Sequence, residues 1–348
     1  MNLELNYKAA LLSLPFLLLS CNVAENPVEP GTDQVKLYFA VDSFEETVPT
    51  RTVVSDPSKG TIHWAEGDIV GVFPYEGYQE PFEIPLDQIN QANAIFDGGY
   101  WALREGLQYN AYYPFDHVNF ASADMKTRIP VNYLGQTQYG SAVNTGNYDF
   151  SYSDWKTAPA SGAVTFNFHH LGAFLVMNVV YPETATYTRM DLVVKSTSGE
   201  TTHEKFPIEG TYDLTYNKDR LPGTGESYVK IPLTTSTYKD RIGLDLYNTE
   251  GTDGIEGVKG ETATFYMMLP PANLPALTIS DSEIRFELKD KDGKMYQSAS
   301  PLIHFQSGKK YTYSLAPVLE FNGDVTVTPE IKDWEDQTGS GTMSPSFD

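Results

Sequence analysis

Val35-Lys36-Leu37-Tyr38-Phe39-Ala40-Val41-Asp42 decides how this chain is read. Val35, Leu37, Phe39 and Val41 alternate with Lys36, Tyr38, Ala40 and Asp42, the period-two pattern of a strand with one buried face. Upstream, Leu17-Leu18-Leu19-Ser20 leads into Cys21, the single cysteine of the sequence. Downstream, the polar run Glu45-Glu46-Thr47-Val48-Pro49-Thr50-Arg51 ends at the bond Arg51–Thr52, which a trypsin-like protease would cut. The order is anchor, tether, strand and cleavable bond. It suits a strand that is meant to be removed.

Working outward, Lys8 gives a short positive region and Ala9 through Leu19 are almost wholly apolar. That run is too short for a bilayer, which needs about 20 residues, and reads as an export signal. Leu18-Leu19-Ser20-Cys21 resembles the bacterial lipobox, so the Cys21 thiol is expected to receive a diacylglycerol and anchor the chain in the outer membrane. The plainer reading makes Cys21 incidental to an ordinary secretory signal. With one cysteine, no disulfide can form within the chain. From Asn22 to Asp33, two prolines, Gly31 and two glutamates without apolar periodicity read as a flexible tether.

A chain of 348 residues suggests two domains, at roughly 150 residues each. The 23 Tyr and 18 Phe favour strands, where aromatic side chains pack on a pleated surface. The 27 Gly and 22 Pro punctuate the chain too often for long helices. An all-β protein is expected. The net charge of −22 repels a phosphate backbone and argues against nucleic acid as a partner. It suits solubility at an exposed surface.

Asp56-Pro57 marks a turn within the loop Val54 to Gly60. Thr61 through Pro74 then reads as a hairpin whose turn, Ala65–Asp68, uses Gly67 at positive φ. Ala94–Phe96, Tyr109–Tyr113 and Arg128–Val131 are strand candidates, and Gln136–Trp155 is a long polar stretch of the kind that is functional or lies over a surface. Composition shifts at Pro159-Ala160-Ser161-Gly162, before the alternating Val164–Phe168 and the apolar run Leu171–Val180. Met190–Val194, Glu204–Ile208, Tyr228–Ile231, Ile242–Tyr247, Thr264–Leu269, Ile284–Leu288 and Tyr311–Leu315 follow as strands. Asp290-Lys291-Asp292-Gly293-Lys294 reads as a hairpin tip. In the tail, Val325, Val327 and Ile331 share one phase, while Met343, Pro345 and Phe347 form a weaker alternation. The expected division is a signal peptide (1–20), tether and first strand (21–51), two tandem β-sandwiches (52–162 and 163–320) and an extension (321–348).

Chemistry finds little purchase. His63, His117, His169, His170, His203 and His304 make no metal-ligand spacing, and the adjacent His169 and His170 would point to opposite faces of a strand. One of that pair is expected to be buried with a hydrogen-bond partner. A calcium loop starting at Asp290 fails at its fifth position, Lys294, and its twelfth, Pro301. Nucleophile elbows and phosphate loops are missing from the sequence. A carboxylate pair for hydrolysis has no sequence spacing to betray it. Tyr109, Tyr112, Tyr113 and Phe115, with Tyr148, Phe150, Tyr152 and Trp155, read either as a sugar-stacking surface or as core and cross-strand pairs.

Taken in order, several pieces resemble the fimbrillin family, the type V pilins and related lipoproteins of Bacteroides-type bacteria. They are the lipobox to Cys21, the strand before Arg51-Thr52, Trp64 to Phe73, and Phe168-His169-His170-Leu171-Gly172-Ala173. Phe305 to Tyr313 and Ile331-Lys332-Asp333-Trp334 complete the set. The resemblance implies two transthyretin-like β-sandwiches, export as a lipoprotein to the cell surface, and assembly into a fimbrium without catalysis, metal or cofactor. It also implies cleavage between Arg51 and Thr52, removal of the strand bearing Val35, Leu37, Phe39 and Val41, and a donor strand drawn from Val325, Val327, Ile331, Met343 and Phe347. Partners would be other pilin subunits, outer-membrane lipid through acylated Cys21, and a host or glycan receptor. Gly339-Ser340-Gly341 weakens the tail as a donor, which leaves stalk, tip and anchor roles open. The alternatives are a monomeric surface lipoprotein that binds glycans and a carboxylate-dependent hydrolase.

Overall fold

The computed structural model describes residues 36–40, 64–74, 79–89, 93–98, 103–115, 128–140, 142–143, 147–153, 155–160, 163–196, 205–213, 233–271, 282–300, 305–319 and 330–333. These residues build an all-β protein, with a 3-10 turn at Leu86–Gln88. Strands are numbered along the chain.

The first sheet has nine strands. Across it run β4 (Asn93–Ile95), β1 (Lys36–Ala40), β12 (Ala163–His170), β10 (Ser151–Ser153), β6 (Gln108–Tyr113), β2 (Ile69–Pro74), β3 (Glu80–Glu83) and β5 (Asp97–Gly98), with β11 (Lys156–Thr157) beside β6. Strands β4 and β5 belong to one continuous segment, residues 93–98. The two ends of the sheet are therefore the same piece of chain, and the sheet closes on itself. Closure removes the free edges that an open sheet presents. Inside lie Trp64, Val70, Val72, Phe82, Ala94, Phe96, Tyr113, Val164, Phe166 and Phe168, all buried.

A seven-stranded sheet runs β21 (Met295–Ser300), β20 (Ser282–Asp290), β14 (Ala185–Ser196), β17 (Arg241–Tyr247), β8 (Gln136–Tyr139) and β9 (Ala142–Val143), with β18 (Ile255–Gly257) paired to β14. Its core residues pack with those of a four-stranded sheet, β19 (Thr262–Leu269), β13 (Ala173–Val180), β22 (Lys309–Leu315) and β23 (Glu330–Asp333). The apolar run at β13 has a plain cause. Leu175, Met177 and Val179 lie in the core shared with the seven-stranded sheet, while Phe174 and Val176 lie in a second core on the opposite face. A strand covered on both faces loses its alternation.

That second core joins the sheets. Phe73, Tyr112 and Tyr152 come from the first sheet, Phe174 and Met268 from the four-stranded sheet, and Ile129, Val131 and Tyr212 from a three-stranded sheet, β16 (Leu233–Lys239), β15 (Phe206–Asp213) and β7 (Arg128–Asn132). The sheets also exchange strands. β12 follows the composition shift at residue 162 yet pairs with β1 and β10, while β8 and β9 precede it and join the seven-stranded sheet.

The polar stretch Gln136–Trp155 is not a structureless loop: it contributes β8, β9 and β10. Gln136 and Gln138 are buried and explain why β8 is polar. Gln136 Nε2 donates to Met268 O at 2.7 Å and Oε1 accepts from Met268 N at 2.7 Å. Gln138 repeats the pattern, donating to Thr264 O at 2.9 Å and accepting from Tyr266 N at 3.2 Å. Two side-chain amides thus act as the next strand along the outer edge of β19. They satisfy backbone groups that would otherwise be buried and unpaired.

The turn expected at Ala65–Asp68 is present, with Gly67 at φ +83 and Asp68 N donating to Ala65 O at 3.1 Å. The Asp290–Lys294 tip closes β20 onto β21, with Gly293 at φ +84 and Asp290 Oδ1 accepting from Lys294 N at 2.8 Å. The strand expected at Tyr228–Ile231 lies outside the described residues.

Candidate functional site

The first strand has two neighbours. β1 runs parallel to β12, with Leu37 opposite Val164 and Phe39 opposite Phe166. On its other side it is antiparallel to β4, with Tyr38 opposite Ile95 and Phe39 opposite Ala94. β1 is therefore an interior strand of the closed sheet, and among the described residues it is β4's partner in the ladder. On β12, Val164, Phe166 and Phe168 are buried while Thr165 and Asn167 are exposed, so one face of this wall looks into the core. In the core beside the slot that β1 occupies between β12 and β4, the Trp64 ring meets Phe96, Tyr113 and Phe168 edge-on at centroid distances of 4.8, 5.4 and 5.8 Å.

The Trp64-Ala65-Glu66-Gly67-Asp68 run fixes that tryptophan. Asp68 is buried; its Oδ2 accepts from Ala65 N at 2.8 Å and its Oδ1 accepts from the Tyr113 hydroxyl at 2.7 Å. One carboxylate locks the turn and ties it to β6, holding Trp64 over the core.

Phe168 to Ala173 forms the crossing from the first sheet to the four-stranded sheet. β12 ends at His170, β13 begins at Ala173, and only Leu171 and Gly172 separate them. Leu171 N donates to Phe150 O at 2.7 Å and Gly308 N donates to Gly172 O at 2.8 Å. A Cβ on Gly172 would lie 3.0 Å from Leu269 O and 3.3 Å from Met268 Cε, so a side chain here would have to push its neighbours aside by a few tenths of an ångström. His170 is buried and its Nδ1 lies 2.7 Å from Asp149 Oδ1, while His169 lies on the opposite, half-buried face. Burial pushes the nearby Tyr133 phenol well up, the hydrogen bond with Tyr212 pulls it down, and Asp149 adds a smaller upward push. This is a structural joint, not an acid–base site.

In the Phe305–Tyr313 run, Tyr311 Oη accepts from Gln306 N at 2.8 Å, and Phe305 meets the Tyr311 ring edge-on at 4.9 Å. β23 then lies antiparallel to β22, with Ile331 opposite Tyr311. One donor candidate, Ile331, is thus registered within this chain's own sheet. Val325, Val327, Met343 and Phe347 lie outside the described residues. So do Cys21, Arg51, Thr52, Val35 and Val41.

Of the two readings of the aromatic residues, the core one holds and the sugar-stacking one does not. Tyr109, Tyr112, Tyr113, Phe115, Phe150, Tyr152 and Trp155 are all buried, and Tyr148 is half-buried with its hydroxyl bonded to Gly135 O at 2.7 Å. The first sheet is covered on both faces: Tyr109 and Tyr113 line its interior, while Tyr112 and Tyr152 face the second core. Among the described residues no cluster of His, Asp or Glu is placed to hold a metal. Sequence reading placed Ala94 on a strand but not beside β1, and it missed the role of the two glutamines. Ala94 lies in a three-residue strand, and the glutamines carry no apolar signal.

A family model described as fimbrillin-like matches residues 50–334. Comparison with curated proteins finds no match. Among solved structures, a proposed cell adhesion protein of Bacteroides uniformis is similar at 16% identity and a TM-score of 0.52, over 88% of this chain and 100% of that one. A proposed cell adhesion protein of Bacteroides ovatus is 18% identical with a TM-score of 0.49, over 86% and 97%. The tip fimbrial protein Mfa3 of Porphyromonas gingivalis is 9% identical with a TM-score of 0.39, over 86% and 100%.

Proposed function

Because the chain belongs to the fimbrillin-like family, we propose that it is a structural, non-enzymatic subunit or accessory of a surface fimbrium, assembled by strand exchange for adhesion. It is exported as a lipoprotein held to the outer membrane through acylated Cys21. Cleavage of Arg51–Thr52 then frees the strand 35–41, and the slot accepts a strand from another pilin subunit. The stretch Val325–Phe347 supplies the donor for the next subunit.

The observation that carries this reading is the position of β1. It pairs with residues 93–95 and 163–167, far away in sequence on both sides. Its loss opens two strand edges at once, and a foreign strand of matching alternation regains both ladders and the apolar burial. While β1 is seated, the closed first sheet offers no edge among the described residues, so assembly waits for the protease. Head-to-tail repetition that does not close gives a filament.

Arg51→Ala tests the reading. The variant chain should reach the surface uncleaved and form no fibres by electron microscopy. Normal fibres from the Arg51→Ala chain would refute cleavage-triggered assembly.

A further inference from the structure

The two walls of the slot differ in one respect that selects its occupant. Across the inward row, position 39 is registered between Phe166 on β12 and Ala94 on β4. Both are fully buried, at 0% exposure. Phe166 brings an aromatic ring to its side of the row, whereas Ala94 brings a single methyl, so on that side position 39 is registered with the smallest of its wall residues. Two residues earlier, position 37 is opposite Val164, and the β4 ladder does not reach it. The demand for bulk therefore falls on one position. The sequence of the first strand meets it: of Val35, Leu37, Phe39 and Val41, the largest falls opposite the smallest wall residue. Close-packed cores tolerate neither a void nor excess at such a place.

We infer that the slot reads an incoming strand chiefly at the position registered with Ala94, and that its partner is a pilin strand carrying a bulky apolar residue there. This rests on the strand-exchange reading. Within this chain's own tail, Met343 and Phe347 have the required size, and Val325 and Val327 do not. The second wall is also the clasp that closes the sheet, because residues 93–98 pair with β1 at one end and with β3 at the other. A strand that fails to fill the row would leave β4 without support on its core side.

A size-swap cycle on the full chain tests the pocket, using Phe39→Ala, Leu37→Ala, Ala94→Leu and the double variant Phe39→Ala/Ala94→Leu in urea unfolding. Phe39→Ala should lower the folding constant at least tenfold more than Leu37→Ala. Ala94→Leu should weaken the wild-type chain yet restore at least tenfold to Phe39→Ala. Absence of that rescue overturns the pocket. A second arm nicks the folded full chain after Arg51 and adds synthetic peptides of residues 34–44 with Phe or Ala at position 39. Preferential exchange of the Phe peptide is expected, and equal exchange of both overturns the selectivity. Size-swap rescue without exchange of either peptide overturns the strand-exchange reading itself, and with it the pocket's role in assembly.

Discussion

Replacing Gln136 by methionine keeps the length and volume of a buried side chain and removes its hydrogen bonds. In the native chain its Nε2 donates to Met268 O and, at 2.9 Å, to Tyr133 O, while Oε1 accepts from Met268 N. Gln136→Met therefore leaves the N–H and C=O of Met268 and the C=O of Tyr133 facing a thioether in a region without access to water. An unsatisfied buried backbone group costs about 1–3 kcal/mol, so three cost about 3–9 kcal/mol. The loss should appear in urea unfolding as a lower midpoint at unchanged slope, since the buried surface hardly changes. Gln136→Glu sharpens the test. One carboxylate oxygen still accepts from Met268 N, but the other, in place of Nε2, faces the carbonyls of Met268 and Tyr133, so the change should be at least as damaging as methionine. If Gln136→Met stays within about 0.5 kcal/mol of the native chain, the usual range of a neutral surface change, the view that side-chain amides seal β19 is wrong.

Other perturbations follow from the same geometry. Gly67→Ala forces a side chain into φ +83 with open space around it, so its cost should be pure backbone strain of about 1–2 kcal/mol, measured by the same unfolding curve. His170→Ala strips a buried hydrogen-bond partner from Asp149 and should destabilise by about 1–3 kcal/mol, with the double variant His170→Ala/Asp149→Ala recovering part of the loss. The Glu183 carboxyl is held below its usual 4.5 by hydrogen bonds from Lys294 and Tyr296, and Lys294 is held above its usual 10.5 by the same partner. The Glu183 contribution is present above pH 4.5 and lost as pH falls through the lowered value. The Lys294 contribution is present below pH 10.5 and lost as pH rises through the raised one. Between those limits Glu183→Gln should lower the midpoint, and the difference from the native chain should vanish toward acid; a difference that persists at pH 2 would contradict the pairing.

The fold class was legible because most strands keep one face on a core, as in Val164, Phe166 and Phe168. Turn chemistry was equally plain at Gly67 and Gly293. Three things were hidden. Periodicity names a face without saying what covers it, so Tyr109 and Tyr112 could not be told from a sugar platform. Edge-sealing glutamines in β8 and the half-exposed, hydroxyl-rich β16 carry no apolar signal, so those strands went unread. Pairing over long distances, such as β1 with β12, depends on shape complementarity between segments more than a hundred residues apart, and local pattern does not encode it. The site was thus half visible: the first strand showed in the alternation of Leu37 and Phe39, while its pairing with Ala94 and Phe166 and the closing clasp appeared only in three dimensions.

The most direct test of the central claim is the intact mass and N-terminal sequence of the protein recovered from assembled fibres at the cell surface. The account predicts a chain that begins at Thr52, with the first strand gone and the slot filled by another subunit. A chain in those fibres that begins at acylated Cys21 would contradict it, because the first strand would still occupy the slot.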